Sequence, residues 1–314
     1  MILPTEILGF IFVGVVIALV ALMVLTFDRV NHDRLMGLVA KRITDKCVLK
    51  LIRAFLNAGV MEKGQVSAVD EGTPQGGPLS PLMSNVVLNE LDQELERRSH
   101  RFVRYADDRN ICVRSQRAGE RAMESITHFI SAKLKLKVNS PKSAVARPWE
   151  RKFLGFIFTA KEPPIRLIAS KSMARFKERI REITRCTRGV SLQGMVGDLT
   201  VYLWGWHGYF GFCQTPSVLV DLDSWIRRRL RCVVWKQCKV WRTRFRELRR
   251  RGVNEALAPK TAGGPHGPWW ISQSPALCIA FPNAYLNGIG LFRLAVVDSL
   301  TRSIAVYGRV RTVV

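Results

Sequence analysis

The string Tyr105-Ala106-Asp107-Asp108 is the part of this chain best suited to chemistry. Two adjacent carboxylates on a tight turn between β-prone runs can hold divalent cations. Magnesium takes oxygen ligands, keeps several waters, and shares its shell between one or two carboxylates and substrate phosphates. Two such ions about 4 Å apart activate an attacking hydroxyl and stabilise a leaving pyrophosphate. Strand alternation sends Asp107 and Asp108 in different directions, so one of them is expected to be the main ligand. Taken alone, an Asp-Asp pair is more often a surface turn or a helix cap.

Three further strings stand around it: GTPQGGPLSPLMSN from Gly72, LKVNSPKS from Leu136, and KFLGF from Lys152. Gly76 and Gly77 let a backbone approach where a side chain would clash. Gln75 supplies an amide that both donates and accepts. Small Ala106 leaves room beside the carboxylates, and Tyr105 offers a ring and a hydroxyl. Lys142 can supply a cation, or a proton, to a phosphate leaving group. An ordinary turn for the glycines and a surface charge for Lys142 are the bland alternatives, and four coincident strings weigh against them jointly.

The elements that position these residues read as α+β. Helices are expected from Asp28 to about Val69, including an amphipathic Lys46 to Leu56. Ser80 is expected to cap a helix with Pro81 in its first turn and Leu82, Val86, Val87, Leu91 and Leu95 on its buried face. A hairpin is expected next: strand 102–105, turn 106–110, strand 111–113. A helix over Arg117 to Leu134, a short extended 136–138 and a strand over 152–158 complete an antiparallel-sheet domain. Pro163-Pro164 marks a boundary. Beyond it, 171 to about 250 is helical in character, and the tail from Val253 is rich in Gly and Pro around Gly263 to Trp270.

The formal net charge is +24, with 49 Lys and Arg against 25 Asp and Glu. A balance this basic points to a polyanion, most often nucleic acid. With 47% hydrophobic residues and 8 Trp, the chain is no disordered basic tail. Between Arg227 and Arg251 twelve Lys or Arg face a single acid, Glu247. Trp225, Trp235 and Trp241 can stack on bases or pack a helix core, and packing is expected for most of them. The seven Cys form no C-x-x-C pair, which argues against zinc and for a reduced compartment.

Residues Ile7 to Leu25 form an uncharged apolar run of about the length a bilayer needs. Arg29, Arg34, Lys41 and Arg42 crowd its C-terminal flank, so the expectation is a transmembrane helix through 7–25, anchoring a cytoplasmic body to the inner membrane. A buried soluble helix is the alternative.

The four strings occur in the order and spacing of reverse-transcriptase palms. From about Phe27 to near Leu291 the sequence resembles the group II intron-encoded reverse transcriptases (maturases) of bacteria. The start Asp28-Arg29-Val30-Asn31-His32-Asp33 fits that family, as do Tyr202-Leu203-Trp204-Gly205-Trp206-His207-Gly208-Tyr209-Phe210 and Asp223 to Arg231. Beyond the apolar segment over 1–26, the resemblance implies a partial palm over 27–162, a helical thumb/maturase region over 163–252, and a maturase C-terminal segment and tail over 253–314. It implies RNA-directed DNA polymerase and intron-splicing activity with Mg2+ at Asp107 and Asp108, and Lys142 as a third catalytic residue. Tyr105, Ala106, Gln75, Gly76 and Gly77 would meet nucleotide or template. Arg227, Arg228, Arg229 and Arg231 would grip intron RNA, and the expected partners are that RNA and a DNA primer or target.

One departure bears on activity. Family palms carry a metal-binding aspartate six residues before the position of Asp28, and that count lands on Leu22. The fingers region that precedes the family's first strand has no counterpart. Two accounts fit: an N-terminally truncated frame joined to an unrelated apolar segment, or an apolar run that is itself a replacement strand or helix. Either way DNA synthesis is expected to be defective. The competing readings are a non-catalytic RNA-binding maturase and a membrane-anchored basic protein on anionic lipid.

Overall fold

The computed structural model describes residues 18–25, 31–58, 60–62, 65–67, 79–161 and 163–295. The chain divides into two compact units, Met1–Pro164 and Ile165–Val314.

The strands of the first unit's main sheet are β1 (Ala18–Leu25), β4 (Arg101–Tyr105), β5 (Asp108–Val113), β6 (Lys137–Val138) and β7 (Ala144–Ala146); β2 (Val60–Glu62) and β3 (Gln65–Ser67) form a separate hairpin. The main sheet is antiparallel and ordered β4-β5-β1-β6, with β7 also pairing β1. The expected transmembrane helix is corrected here. Residues 18–25 are a strand that pairs β5 along one edge and β6 and β7 along the other. Residues 7–17 lie outside the described part, and among the described residues no helix is long and apolar enough to cross a membrane. The physical reason is backbone pairing: a strand flanked on both edges satisfies its N–H and C=O groups laterally, so an apolar run need not coil to do so.

Helices α1 (His32–Ala40), α2 (Lys46–Asn57), α3 (Ser80–Arg97) and α4 (Gln116–Phe129) supply the rest of the core. Asn31 caps α1 by accepting from the Arg34 amide at 3.0 Å, and Ser115 caps α4 by accepting from Ala118 at 3.1 Å. Ser80, the expected cap of α3, is instead its first helical residue, and Leu79 takes the cap position without a side-chain bond. The buried face of α3 holds Val87, Leu91 and Leu95 as expected, with Val86 partly buried; Met83 and Leu88 join it, and Leu82, at 56% exposed, does not. These buried residues join Leu35 and Val39 of α1, Ile52 and Leu56 of α2, Ile111 and Val113 of β5, and Ile126 of α4 in one cluster. After α4 a π turn (Ile130–Leu134) ends on Lys135 at φ 56°. The expected strand over 152–158 shortens to β8 (Phe156–Phe158), because Leu154 (φ 50°) and Gly155 (φ 80°) make a tight turn that folds Phe153 back onto Phe156.

The second unit is helical apart from β9 (Arg166–Ile168): α5 (Ser170–Ile183), α6 (Leu192–Phe210), α7 (Pro216–Gln237), α8 (Trp241–Arg250), and the short α9 (Leu257–Ala262), α10 (Pro268–Ile271), α11 (Pro275–Ala280) and α12 (Asn283–Gly288). Ser191 caps α6 through the Gly194 amide, and Pro216 opens α7, where a missing N–H costs nothing. Val234 and Trp235 of α7 bury against Leu248, Val253, Ala258, Leu277 and Phe281.

Candidate functional site

β4 and β5 pair from Arg101 opposite Cys112 to Tyr105 opposite Asp108. The turn is therefore two residues, Ala106 and Asp107, tighter than the five-residue turn expected. Two-residue hairpin turns need positive φ, and here Ala106 adopts it at 51°. A non-glycine residue in that region costs about 1 kcal/mol, so the hairpin holds this turn against a local preference. The result is a projecting tip with Tyr105 and Asp108 at its base and Asp107 on it.

The neighbouring strand sets the chemistry available at the tip. On β1, Met23 stands at the register position opposite Asp108 and Leu22 at the one opposite Arg109. On the far side of β1, Val24 and Leu25 pair β6 while Leu19 to Ala21 pair β7. Hence the 139–143 loop, which carries Lys142, spans the stretch of β1 that holds Leu22 and Met23. The Asp108 carboxyl is raised above its ordinary value, first by burial and then by the charge of Asp107, with the Lys142 ammonium pulling the other way. The structure thus brings Tyr105, Ala106, Asp107, Asp108 and Lys142 together. Gln75, Gly76, Gly77 and Asp28 lie outside the described residues.

Two carboxylates and nearby phosphate oxygens suit one hard cation. Neither an alkyl chain nor a thioether is a ligand for such an ion. Among the described residues no group of three His, Cys, Asp or Glu is placed to hold a metal. The donor set at the tip among the described residues is the pair Asp107 and Asp108.

The support behind the hairpin goes beyond anything the sequence suggested. Asp92 of α3 receives Arg104 Nε at 2.7 Å and both Nε and Nη2 of Arg109, at 3.2 and 3.1 Å. Arg109 Nη2 also donates to the Leu88 carbonyl, and Arg104 donates to Asn85 at 2.7 Å. The Arg109 side chain is wholly buried, and burial depresses its guanidinium to about 10 against the pull of Asp92. Its Nη1 has no hydrogen-bond partner among the described residues. Two signals were available in the sequence. Asp92 stands one turn after Leu88 on the apolar face of α3, and Arg109 shares strand parity with Ile111 and Val113. A second packing device is Gly119 on α4: a Cβ there would lie 2.4 Å from Val145 Cγ1, so the missing side chain lets α4 approach β7.

In the second unit the expected RNA-gripping arginines separate. Arg227 is 4% exposed, ion-paired with Asp223, and donates to Asn287 at 2.9 Å. Arg231 donates to the Phe281 carbonyl and to Asn283. Arg228 donates to the Trp269 carbonyl and lies 3.9 Å from that ring's centre. All three donate to protein acceptors, Arg227 from a buried position and Arg228 and Arg231 from half-buried ones: consecutive positions on a helix point around its circumference, and most of those directions meet protein. Of the four, Arg229 has no hydrogen bond at its terminal nitrogens among the described residues; its Nε donates to Thr184 Oγ1 at 2.8 Å and its guanidinium lies over the Trp225 ring. Of the tryptophans, Trp235 is core. Trp225 is half-buried beneath Lys177, Arg181 and Arg229, and Trp241 is exposed and stacked on Phe245.

A two-stranded hairpin with an Asp-Asp tip, packed on helices and joined to a C-terminal helical unit, is the plan of a reverse-transcriptase palm with its helical extension. Residues 24–158 match the family model described as reverse transcriptase (RNA-dependent DNA polymerase). Residues 173–252 match the group II intron, maturase-specific domain. The chain belongs to the group II intron-encoded reverse transcriptase/maturase family. It is 29% identical to Protein YkfC of Escherichia coli (strain K12) over 212 residues, 57% of this chain and 52% of that protein. It is 41% identical over 83 residues to the group II intron-encoded protein LtrA of Lactococcus lactis subsp. cremoris, 26% of this chain and 14% of LtrA. An uncharacterised 91 kDa protein in the cob intron of Schizosaccharomyces pombe is 32% identical over 109 residues, 35% of this chain and 12% of that one. The chain thus spans about half the length of the first of these relatives and much less of the others.

Proposed function

We propose that this chain acts on group II intron RNA as a reverse transcriptase/maturase whose templated DNA synthesis is impaired. The observation that carries the reading is the pairing of an intact Tyr105-Ala106-Asp107-Asp108 tip with Leu22 and Met23 on the adjoining strand. A divalent cation such as Mg2+, when bound at Asp107 and Asp108, would neutralise charge on substrate phosphates. Lys142 would hold a cation beside the same phosphates, and Tyr105 and Ala106 would border the nucleotide. The lack of a carboxylate at Leu22 is the physical ground for weak polymerisation. The matched maturase domain and the surplus of Lys and Arg support intron RNA as the partner, with a DNA primer or target as the second nucleic acid.

Two measurements test this. Salt-dependent binding should favour intron RNA over random RNA, and equal binding to both would remove the maturase reading. Primer extension with magnesium should stay near background and be unchanged by Asp107→Ala, while Leu22→Asp should raise extension in a way that depends on Asp107. Robust extension by the natural chain, abolished by Asp107→Ala, would show that DNA synthesis is not impaired.

A further inference from the structure

α7 presents Arg229, Cys232, Val233 and Lys236 at i, i+3, i+4 and i+7, one face of the helix. That face forms one wall of a groove of about 530 Å³, a volume within the range of small-ligand sites. Thr184 and Cys186, at and just beyond the end of α5, form a second wall, and Gly267 to Trp270 form the third.

Charge and aromatic surface coincide there. The groove is lined by two cations, Arg229 and Lys236, and by no carboxylate among the described residues. Arg229 is braced at Nε by Thr184, while its terminal nitrogens have no hydrogen bond or ion pair among the described residues, and Lys236 has neither. Trp270 is 60% exposed and Trp269 40%. His266 stacks on Trp270, with ring centres 3.8 Å apart and planes at 29°, and Trp270 stays exposed despite that contact. Arg228 fixes Trp269 by its cation–π contact and its bond to the Trp269 carbonyl. Both rings are thus held in place while remaining exposed.

From this arrangement we infer that the groove captures a single unpaired nucleotide of an RNA strand. Its base stacks on Trp270, and the flanking phosphate meets Arg229 and Lys236. Stacking on an indole needs a base free of its duplex partner, and two cations beside it, each with N–H groups to spare, suit a phosphate. Paired RNA offers the phosphate but not the base face. The choice of RNA rests on the maturase reading above; the nucleotide's unpaired state and the residues that hold it go beyond that reading.

The test uses the full chain, a labelled dodecauridylate, a duplex of equal length, and intron RNA. Trp270→Ala should weaken dodecauridylate binding about tenfold and leave duplex binding within about twofold, with Trp270→Phe restoring most of the loss. Arg229→Ala and Lys236→Ala should each lower the salt slope by about 1. Arg246→Ala, an exposed cation on α8, should change dodecauridylate binding less than either. Separately, bound dodecauridylate should shield Cys186 and Cys232 from alkylation while leaving exposed Cys278 reactive, a readout independent of any substitution. Intron-RNA binding with no response to Trp270→Ala and no shielding of these thiols would overturn this inference and leave the maturase reading standing. Failure to bind either RNA would overturn both.

Discussion

The hairpin unit and the basic helix both concentrate arginine, yet they use it differently. Behind the Asp-Asp tip, two arginines converge on one carboxylate, Asp92, in a site from which solvent is largely excluded. On α7, four arginines stand within five positions, three of them bound to carbonyls, Asn side chains or Asp223 and one held only at Nε among the described residues, its terminal nitrogens facing a groove. The first arrangement is an internal strut that holds the Asp-Asp turn. The second is a strut and a binding surface interleaved on one helix. A count of positive charge cannot separate these uses; the inventory of acceptors around each guanidinium does.

Asp92 offers the largest test of this contrast. Asp92→Ala leaves Arg104 and Arg109 without their carboxylate and should cost about 3–5 kcal/mol in urea unfolding. A cost below about 1 kcal/mol would mean that the strut is ornamental. The next test sets neighbours on α7 against each other. Arg227→Ala breaks a buried pair and should cost about 3 kcal/mol, whereas Arg229→Ala should stay within about 1 kcal/mol in stability and weaken RNA binding instead. Equal stability losses would erase the distinction between clamp and surface. At the tip, Ala106→Gly removes the cost of a left-handed alanine but adds unfolded-state entropy, for a net gain of about 0.5 kcal/mol by thermal melting. A loss would show that the turn is unstrained.

The smallest effect concerns an ion pair at the end of α3. Glu94 accepts from Arg97 at 2.7 and 2.8 Å and from Arg98 at 2.6 Å, and these bonds, Arg97 first, hold its carboxyl at about 2 against an ordinary 4.5. A depressed carboxylate contributes stability above its unfolded value and loses that contribution as pH falls from about 4.5 toward 2. Glu94→Gln should flatten the stability profile across that window by a small amount, because its first partner, Arg97, is largely solvated. An unchanged slope would assign the acid sensitivity to other carboxylates.

Much of the site is legible in the sequence. The β-prone runs from Phe102 to Tyr105 and from Ile111 to Val113 mark the hairpin, and the spacing of the strings anticipates Lys142 near the Asp pair. β1 misleads because a run of apolar residues without alternation looks the same as helix or buried strand. Which it becomes is decided by partners far along the chain: β5, β6 and β7. The family's spacing singles out Leu22, but that Met23 takes the register position opposite Asp108 is visible only in the pairing itself. The arginine run is visible as charge. Its division into clamps and an open cation is not, since Asn283, Asn287, Phe281 and Trp269 lie 41 to 60 residues away.

β1 also governs how this chain avoids its own kind. Sitting inside the sheet, it closes the inner edge of the β4–β5 hairpin and the facing edge of β6 and β7 at once. A protein made without residues 18–25 would present two rows of unpaired amides and carbonyls, each a template for a strand from another molecule. Such a product is expected to sediment as assemblies rather than remain a weakened monomer.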